Sequence, residues 1–337
     1  MVLVTGGTGL VGSHLLLKLV EQGVKVRAIH RADSDLYRVE RIFSYYTGQS
    51  YDMFKKIEWA TADINNIPDL EKAFEGVTHV YHCAALISFD PKDYGLLHKV
   101  NVEGTANIVN LCIANNIEKL CYVSSIAAIG KSIGEKEATE KNDWQQSNSS
   151  VYSITKTAAE LEVWRGSQEN VPVVIINPGI IIGPGFWESG SGQLFKRANK
   201  APKYFPPGGS GFVTISDVVS IMTSLMKSDI LNERFIVISK NLTYRDILEK
   251  LTKAMKKEPP RKQIPGWVLE VLWRLDWSWS LFTNSKRQLT SASVFSLKNR
   301  TLYSNAKVIE SLDFQFEPLE KTISFSTDIF REENPAL

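Results

Sequence analysis

The chain has 337 residues, of which 43% are hydrophobic and 23% are charged, a composition that excludes disordered and fibrous proteins. Its 39 Lys and Arg against 37 Asp and Glu give a formal charge of +2, without a basic run long enough to follow a phosphate backbone. We therefore expect no nucleic-acid partner. The length favours one large domain with a smaller second region.

The first half of the chain alternates short apolar runs with helical patterns, which is typical of βαβ units that build a parallel sheet. We predict strands at residues 2–5, 25–29, 57–61, 79–83, 119–124 and 172–176. We predict helices at residues 9–21, 70–74, 94–114 and 152–168. The expected fold class is α/β, a Rossmann doubly wound parallel sheet with helices on both faces.

The pattern changes near residue 178, because glycine and proline cluster at 183–185 and again at 206–209. A strand is predicted at 234–238 and a helix at 244–256, with Thr243 as its N-cap. We therefore expect a Rossmann domain over residues 1–177 and a smaller α+β region over residues 178–337. Some elements of this second region are expected to return to the sheet.

The most apolar stretch of the second region covers residues 267–282. Glu270, Arg274 and Asp276 interrupt it, and it is too short to span a membrane. We predict an amphipathic helix that lies over a core. A lid on a substrate pocket and a surface patch for lipids are the alternatives.

The three cysteines are Cys83, Cys112 and Cys121, an odd number at wide spacing, so the sequence predicts neither a disulfide framework nor a metal site. Met1 leads directly into an apolar run without the basic region of a secretory signal. We expect a cytoplasmic protein.

Glycines directly follow the first predicted strand and open the first predicted helix. Gly6 permits a tight turn, Gly9 lets backbone N–H groups approach a diphosphate, and Gly12 lets the helix lie close to the strand. The diphosphate would lie at the positive end of the helix. The predicted dinucleotide-binding turn comprises Gly6, Thr8, Gly9, Leu10, Val11 and Gly12.

Arg31 follows the second predicted strand, where an NAD-binding chain would place a carboxylate against the ribose 2′-hydroxyl. A guanidinium there can hold the 2′-phosphate of NADP through two hydrogen bonds. The sequence therefore favours NADP(H), with NAD as the alternative. In that alternative Arg31 is solvated and Asp33 reaches the ribose.

Tyr152 and Lys156 lie four residues apart and so project from the same face of a predicted helix. A neighbouring ammonium favours the phenolate, so we expect Lys156 to lower the pKa of Tyr152 from its ordinary value of about 10. Tyr152 would then exchange a proton with a substrate oxygen, and Lys156 would hold the ribose hydroxyls of the nicotinamide. Ser125 ends an apolar strand and can donate a hydrogen bond to the same oxygen.

Together these motifs resemble the extended short-chain dehydrogenase/reductase family, also called the NAD-dependent epimerase/dehydratase superfamily. The resemblance covers most of the chain. It rests on residues 5–12, the pair Asp63 and Ile64, residues 82–85, residues 101–105, Ser125, Tyr152 with Lys156, residues 177–185 and residues 212–219.

The resemblance implies further cofactor contacts. Asp63 and Ile64 would flank the adenine, although Asp63 can equally cap a turn. The other implied cofactor residues are Ala84, Ala85 and Asn101 along the cleft, and Pro178, Gly179 and Ile181 at the nicotinamide end. The alanines and the proline can equally serve packing. Extended members usually pair through the helices at 94–114 and 152–168, so the resemblance implies a homodimer.

Within this family the chain is similar to the dihydroflavonol-4-reductase and 3β-hydroxysteroid dehydrogenase-like branch. Ile180 stands where sugar-nucleotide epimerases usually have asparagine, and Ile126 follows Ser125 where dehydratases have an acidic pair. Our main hypothesis is an NADP(H)-dependent oxidoreductase that reduces a ketone or aldehyde of a small, fairly apolar molecule. The alternatives are a nucleotide-sugar epimerase with retained NAD and a non-catalytic dinucleotide-sensing protein.

The substrate pocket is expected between residues 185 and 279. Aromatic side chains are its candidate lining, with core packing as the alternative. They are Phe186, Trp187, Phe205, Phe212, Trp267 and Trp273.

Overall fold

The computed structural model describes residues 1–130, 137–147, 149–283, 285, 287 and 289–335. Its strands are β1 (Val2–Thr5), β2 (Val26–His30), β3 (Glu58–Thr61), β4 (His79–His82), β5 (Lys119–Val123), β6 (Val173–Pro178), β7 (Ile180–Ile182), β8 (Tyr204–Phe205), β9 (Gly209–Thr214), β10 (Glu233–Val237), β11 (Lys240–Thr243) and β12 (Lys262–Gln263).

The α-helices are α1 (Leu10–Glu21), α2 (Leu36–Ser44), α3 (Ser50–Phe54), α4 (Ile67–Phe74), α5 (Tyr94–Leu97), α6 (Gly104–Ala114), α7 (Val151–Gln168), α8 (Gly192–Asn199), α9 (Ile215–Lys227), α10 (Tyr244–Ala254), α11 (Gly266–Thr283), α12 (Ser291–Lys298), α13 (Ala306–Leu312) and α14 (Leu319–Glu333). A π-helical turn, His98–Glu103, joins α5 to α6. None of the helices in the described part of the chain is long and apolar enough to cross a membrane.

A seven-stranded parallel sheet has the order β10-β6-β5-β4-β1-β2-β3, which confirms the predicted Rossmann architecture. Strands β5 and β6 are buried along their whole length, as expected for apolar strands covered on both faces. The strand order reverses between β1 and β4. Their carboxyl ends therefore open the crevice in which α/β sheets bind ligands.

Apolar helix faces cover both sides of this sheet. One core contains Leu15 and Leu16 of α1 together with Met222 of α9. The opposite core contains Ile108 of α6 and Val163 of α7. The helix-on-sheet packing fixes α1 and α7 against the strands whose ends bear the candidate site residues.

Elements of the second half of the chain also join the central sheet. Strand β10 pairs with β6 at the edge of the sheet, and α9 packs in the first core. A smaller sheet with the order β11-β9-β7 lies beside a third apolar core formed by α8, α10 and α14. Three of the candidate pocket aromatics are buried, and Trp187 and Phe212 belong to this core.

The helix α11 differs from its prediction. Its buried residues are Leu269 and Ser280, whereas Trp267 is 69% exposed and Phe282 is 88% exposed. The predicted amphipathic helix with its apolar face over a core is therefore wrong. The apolar face points outward, and Trp267 lies on it.

Candidate active site

The glycine turn between β1 and α1 has the conformation that its sequence predicts. Gly6 adopts a φ of +67°, and a Cβ on it would lie 2.6 Å from the backbone nitrogen of Ala84. A Cβ on Gly12 would lie 2.2 Å from the carbonyl oxygen of Gly6, so helix and turn touch through backbone. Gly9 is the N-cap of α1 and provides no capping side chain. The first backbone amides of α1 thus face the crevice beside Thr8, Leu10 and Val11, and this cradle fits a diphosphate.

The loop after β4 forms the opposite side of the crevice. The backbone nitrogen of Ala84 donates to Thr5 Oγ1 at 3.2 Å, which ties the loop to β1, and Ala85 is exposed. Asn101 lies in the π-helical turn, where its Nδ2 donates to the carbonyl oxygen of Leu86 at 3.0 Å and to Thr155 Oγ1 at 3.2 Å. Its Oδ1 accepts from the backbone nitrogen of Leu86 at 2.7 Å. Asn101 therefore fastens the cleft loop to α7.

Asp63 and Ile64 follow β3 at the same edge of the sheet. Asp63 Oδ1 accepts from the backbone nitrogen of Asn65 at 2.8 Å, so this carboxylate caps a turn. Ile64 is buried, and its Cδ1 would lie 2.5 Å from a Cβ on Gly104. The contact with Ile64 explains the glycine at the start of α6.

Arg31 directly follows β2. Its Nε lies 3.3 Å from Asp33 Oδ1, and both side chains are mostly exposed. The two candidate ligands of the ribose therefore lie together at the carboxyl end of β2.

Ser125 and Tyr152 meet at the carboxyl end of β5. Ser125 Oγ accepts from the backbone nitrogen of Ala127 at 3.1 Å, and its hydroxyl lies near enough to the phenol of Tyr152 to lower the pKa of that phenol. Burial raises the pKa of Tyr152 to about 12, and the nearby Ser125 hydroxyl opposes this shift. The ring of Phe89 lies edge-on to that of Tyr152, with 5.8 Å between centroids.

Lys156 has a different partner from the one predicted. Its Nζ donates to the hydroxyl of Tyr122 at 2.6 Å and to the carbonyl oxygen of Val123 at 2.8 Å. Burial lowers the pKa of Lys156 to about 7, whereas the charge of Glu160 raises it. The expectation that Lys156 lowers the pKa of Tyr152 is wrong for this structure, because burial dominates and the ammonium bonds Tyr122.

Glu160 lies one helical turn beyond Lys156 and collects hydrogen bonds from three elements. Its Oε2 accepts from Ser124 Oγ at 2.6 Å and from Asn177 Nδ2 at 2.8 Å, and its Oε1 accepts from Arg234 Nη1 at 2.9 Å. Asn177 Nδ2 also donates to the carbonyl oxygen of Ser125 at 3.0 Å. This buried network holds the ends of β5 and β6 against α7. Sequence reasoning missed Glu160, although the four-residue spacing from Lys156 signals it.

The end of β6 and the strand β7 place the last predicted cofactor residues. Pro178 is the final residue of β6, and a Cβ on Gly179 would lie 2.4 Å from the carbonyl oxygen of Gly211. This glycine is therefore needed for close packing of the two chain segments. Ile181 is partly buried and packs against the first core. The three residues lie next to the Ser125 end of the sheet, because Asn177 bonds the Ser125 carbonyl.

Comparisons with known proteins agree with this architecture. Residues 2–237 match the model of the NAD dependent epimerase/dehydratase family. A putative dihydroflavonol 4-reductase of Synechocystis sp. is 30% identical over 279 residues, which cover 79% of this chain and 75% of that protein. Sterol demethylase protein B of Methylococcus capsulatus is 30% identical over 273 residues, with 80% and 78% covered. The structure of UDP-glucose 4-epimerase from Thermus thermophilus in complex with NAD has a TM-score of 0.72 at 22% identity and covers 98% of each chain.

The Rossmann sheet and its site define a dinucleotide-dependent enzyme. The chain belongs to the NAD-dependent epimerase/dehydratase family, and within these extended short-chain dehydrogenases/reductases to the dihydroflavonol 4-reductase-like branch. It is an NAD(P)-dependent oxidoreductase-type enzyme, of a family that acts on small-molecule substrates.

Proposed function

We propose that this protein reduces a ketone or aldehyde of a small, fairly apolar molecule with NADP(H), through Ser125, Tyr152 and Lys156. The observation that carries the proposal is the position of the Tyr152 phenol at the carboxyl end of β5, where Ser125 acts on its pKa and the half-exposed ring of Phe89 lies edge-on to its ring. A hydroxyl pair beside an apolar ring suits a carbonyl group on a hydrophobic substrate.

The dinucleotide, when bound, supplies a hydride to the carbonyl carbon. Tyr152 gives its hydroxyl proton to the carbonyl oxygen, so that the product is an alcohol and the phenolate is left to regain a proton. Because the pKa of Tyr152 is about 12, the phenol carries this proton at neutral pH. Ser125 donates to the same oxygen as negative charge develops there. Lys156, held by Tyr122 and Val123, would hold the ribose hydroxyls of the nicotinamide.

The cofactor residues of this proposal are those of the crevice. Gly6, Gly9 and Gly12 support it, because a Cβ on Gly6 or Gly12 would lie within 3 Å of backbone atoms and would displace the turn. Asp63, Ile64, Ala84, Ala85 and Asn101 would border the adenine and the cleft, and Pro178, Gly179 and Ile181 the nicotinamide end.

The preference for NADP(H) rests on Arg31, which is mostly exposed at the end of β2 and could exchange its surface contact with Asp33 for a 2′-phosphate. We expect Arg31→Ala to raise the KM for NADPH at least about tenfold, because a charge-assisted phosphate contact is worth about 1.5–3 kcal/mol. The KM for NADH should change little. An unchanged ratio of the KM values for NADPH and NADH would indicate that Asp33, and not Arg31, binds the ribose.

A turnover screen of hydrophobic ketones and aldehydes with NADPH tests the reaction itself. Tyr152→Phe should lower kcat by about 10² to 10⁴, because it removes the general acid. Tyr204→Phe, at a half-exposed tyrosine of β8, is the matched control. An enzyme that arrives with tightly held NAD and interconverts UDP-sugars without net use of cofactor would be an epimerase, as the solved Thermus structure is.

The proposal also covers the roles of the two domains, the oligomeric state and the location of the protein. We assign the dinucleotide to residues 1–177 and the substrate side to residues 178–337, in a cytoplasmic homodimer. Leu96 on α5 and Leu161 on α7 support the pairing, since both expose more than half of an apolar side chain on the helices concerned. Light scattering should give twice the chain mass.

A further inference from the structure

The outward face of α11 carries a continuous row of large apolar side chains. The name outer stripe is used for the following residues: Trp267, Val271, Leu275, Trp279 and Phe282. Their exposed fractions are 69%, 46%, 60%, 66% and 88%, respectively. The spacing of four, four, four and three residues places them on one face of a helix. A continuous apolar surface of this kind marks an interaction site.

The opposite face of α11 holds the helix on the protein. Leu269 and Ser280 are buried there, and Glu270 Oε1 accepts from Lys298 Nζ of α12 at 2.9 Å. The helix therefore lies along the body of the molecule. The outer stripe is the face left for a partner.

The charge around α11 indicates the chemistry of that partner. Residues 261–300 contain seven Lys and Arg against two Asp and Glu, whereas the rest of the chain contains 32 against 35. This segment thus carries +5 in a molecule whose remainder carries −3. A second copy of the same surface would be repelled by this charge, whereas an anionic surface would be attracted.

The tryptophans of α11 favour a lipid surface in particular. Trp267, Trp273, Trp277 and Trp279 are four of the eight tryptophans in the chain. Tryptophan is enriched at the boundary between headgroups and acyl chains, and helices with apolar residues on one side and Lys or Arg nearby lie in that boundary. An apolar stripe flanked by basic residues is what an anionic membrane surface binds.

The end of α11 also reaches the entrance of the candidate active site. Leu289, shortly after the helix, donates its backbone N–H to Asp276 Oδ2 at 3.1 Å. The backbone nitrogen of Arg287 donates to Asp90 Oδ2 at 2.9 Å, and the neighbouring Phe89 contacts the ring of Tyr152. The chain that leaves α11 is therefore attached to the loop that borders the cleft.

We propose that α11 seats this protein on an anionic lipid surface. The outer stripe inserts among the lipids, and the net positive charge of residues 261–300 attracts the anionic headgroups. This orientation brings the loop of Phe89, and with it the mouth of the cleft, close to the membrane. The proposal concerns binding alone and holds whether or not the carbonyl reduction is correct.

Co-sedimentation with vesicles tests it. The full chain should bind vesicles of phosphatidylglycerol and phosphatidylcholine, bind pure phosphatidylcholine more weakly, and lose affinity as salt rises. The double variant Leu275→Glu/Trp279→Glu should weaken binding at least about tenfold, because two apolar anchors are lost. The matched control is Leu231→Glu/Ile309→Glu, which places the same charges at exposed apolar positions outside α11 and should bind like the parent.

Melting curves establish that each variant is folded. If the double variant is unfolded, Phe282→Ser, at the most exposed position of the stripe, replaces it in the binding test. Binding of the parent should shift its tryptophan fluorescence to shorter wavelength. The proposal fails if the parent ignores anionic vesicles, or if folded variants of the stripe bind as the parent does. It fails too if light scattering without vesicles shows that these substitutions reduce the oligomer mass, since the stripe would then join copies of the chain.

Discussion

Glu160 is the residue on which the buried polar groups behind the cleft depend. Its side chain is 4% exposed, and that of its ion-pair partner Arg234 is 22% exposed. A buried carboxylate is tolerated only when its oxygens are paired, and here Ser124, Asn177 and Arg234 pair them. Through Asn177, the same carboxylate positions the strand end that bears Ser125. Glu160 is thus a positioning residue, which acts on the reaction through Ser125 and Lys156.

Replacing Glu160 by Gln tests this role. The neutral amide removes the charge that raises the pKa of Lys156, so that this pKa should fall below about 7. The part of the pH profile of kcat that reports the titration of Lys156 should move to lower pH accordingly. The loss of the pair with Arg234 should lower the free energy of unfolding by about 3 kcal/mol.

The control for this change is Glu162→Gln on the same helix. Glu162 pairs with Arg165 at 2.9 Å near the surface, so its loss should cost below about 1 kcal/mol and leave the profile in place. Equal stability and equal profiles in the two variants would contradict the positioning role of Glu160.

Sequence reasoning locates Tyr152, Lys156 and Ser125 because helical spacing and the end of an apolar strand determine where they lie. It could not find that Lys156 bonds Tyr122, since that contact joins α7 to a different element, β5. The error in the direction of the pKa of Tyr152 has the same origin. Burial depends on every element around a group, and a four-residue spacing contains no information about it.

At the scale of elements, the unit that organises the crevice is β1, its glycine turn and α1. The backbone of Gly6 touches both the Ala84 loop and Gly12, so three segments of chain meet without side chains between them. Such contacts require glycine at specific positions. The sequence therefore predicts this unit correctly.

We expect Gly12→Ala to destabilise the protein by about 1–3 kcal/mol, because its Cβ would lie 2.2 Å from the carbonyl oxygen of Gly6 and backbone must move. The displaced turn should also weaken binding of NADPH at least about tenfold, measured by calorimetric titration. Gly95→Ala is the control, since a Cβ at this position of α5 meets nothing within 4 Å and should be neutral or stabilising. Normal NADPH affinity in a folded Gly12→Ala protein would refute the close-packed turn.

The predicted strands of the first half agree with the structure to within a few residues, because β1, β4, β5 and β6 are mostly buried strands of a parallel sheet. The short helices α2 and α3 were missed, although Val39, Ile42 and Phe43 give α2 a buried apolar face. The helix α11 was placed correctly, but its apolar side was assigned to the interior. Apolar periodicity identifies a face and contains no information on what covers it.

At the scale of the whole molecule, two uncharged histidines lie inside the fold. His14 of α1 is 7% exposed, and burial lowers its pKa to about 4. His82 of β4 is fully buried between Thr5 Oγ1 and Thr105 Oγ1, and burial lowers its pKa to about 3, with Lys156 acting in the same direction. Both rings take up a proton more readily in the unfolded chain, where the ordinary pKa of histidine is about 6.5.

The free energy of unfolding should therefore decrease as pH falls from about 6.5 toward 4, since the unfolded chain binds protons that the native protein does not. Each histidine should contribute about 1.4 kcal/mol per pH unit to the decrease in the free energy of unfolding in this range. Above pH 6.5 neither histidine should make this free energy depend on pH. Urea unfolding of the parent between pH 7 and pH 4.5 measures the slope. His14→Gln should reduce that slope by about 1.4 kcal/mol per pH unit, because one of the two buried histidines is gone. A His14→Gln protein that kept the slope of the parent would contradict the burial of an uncharged ring at His14.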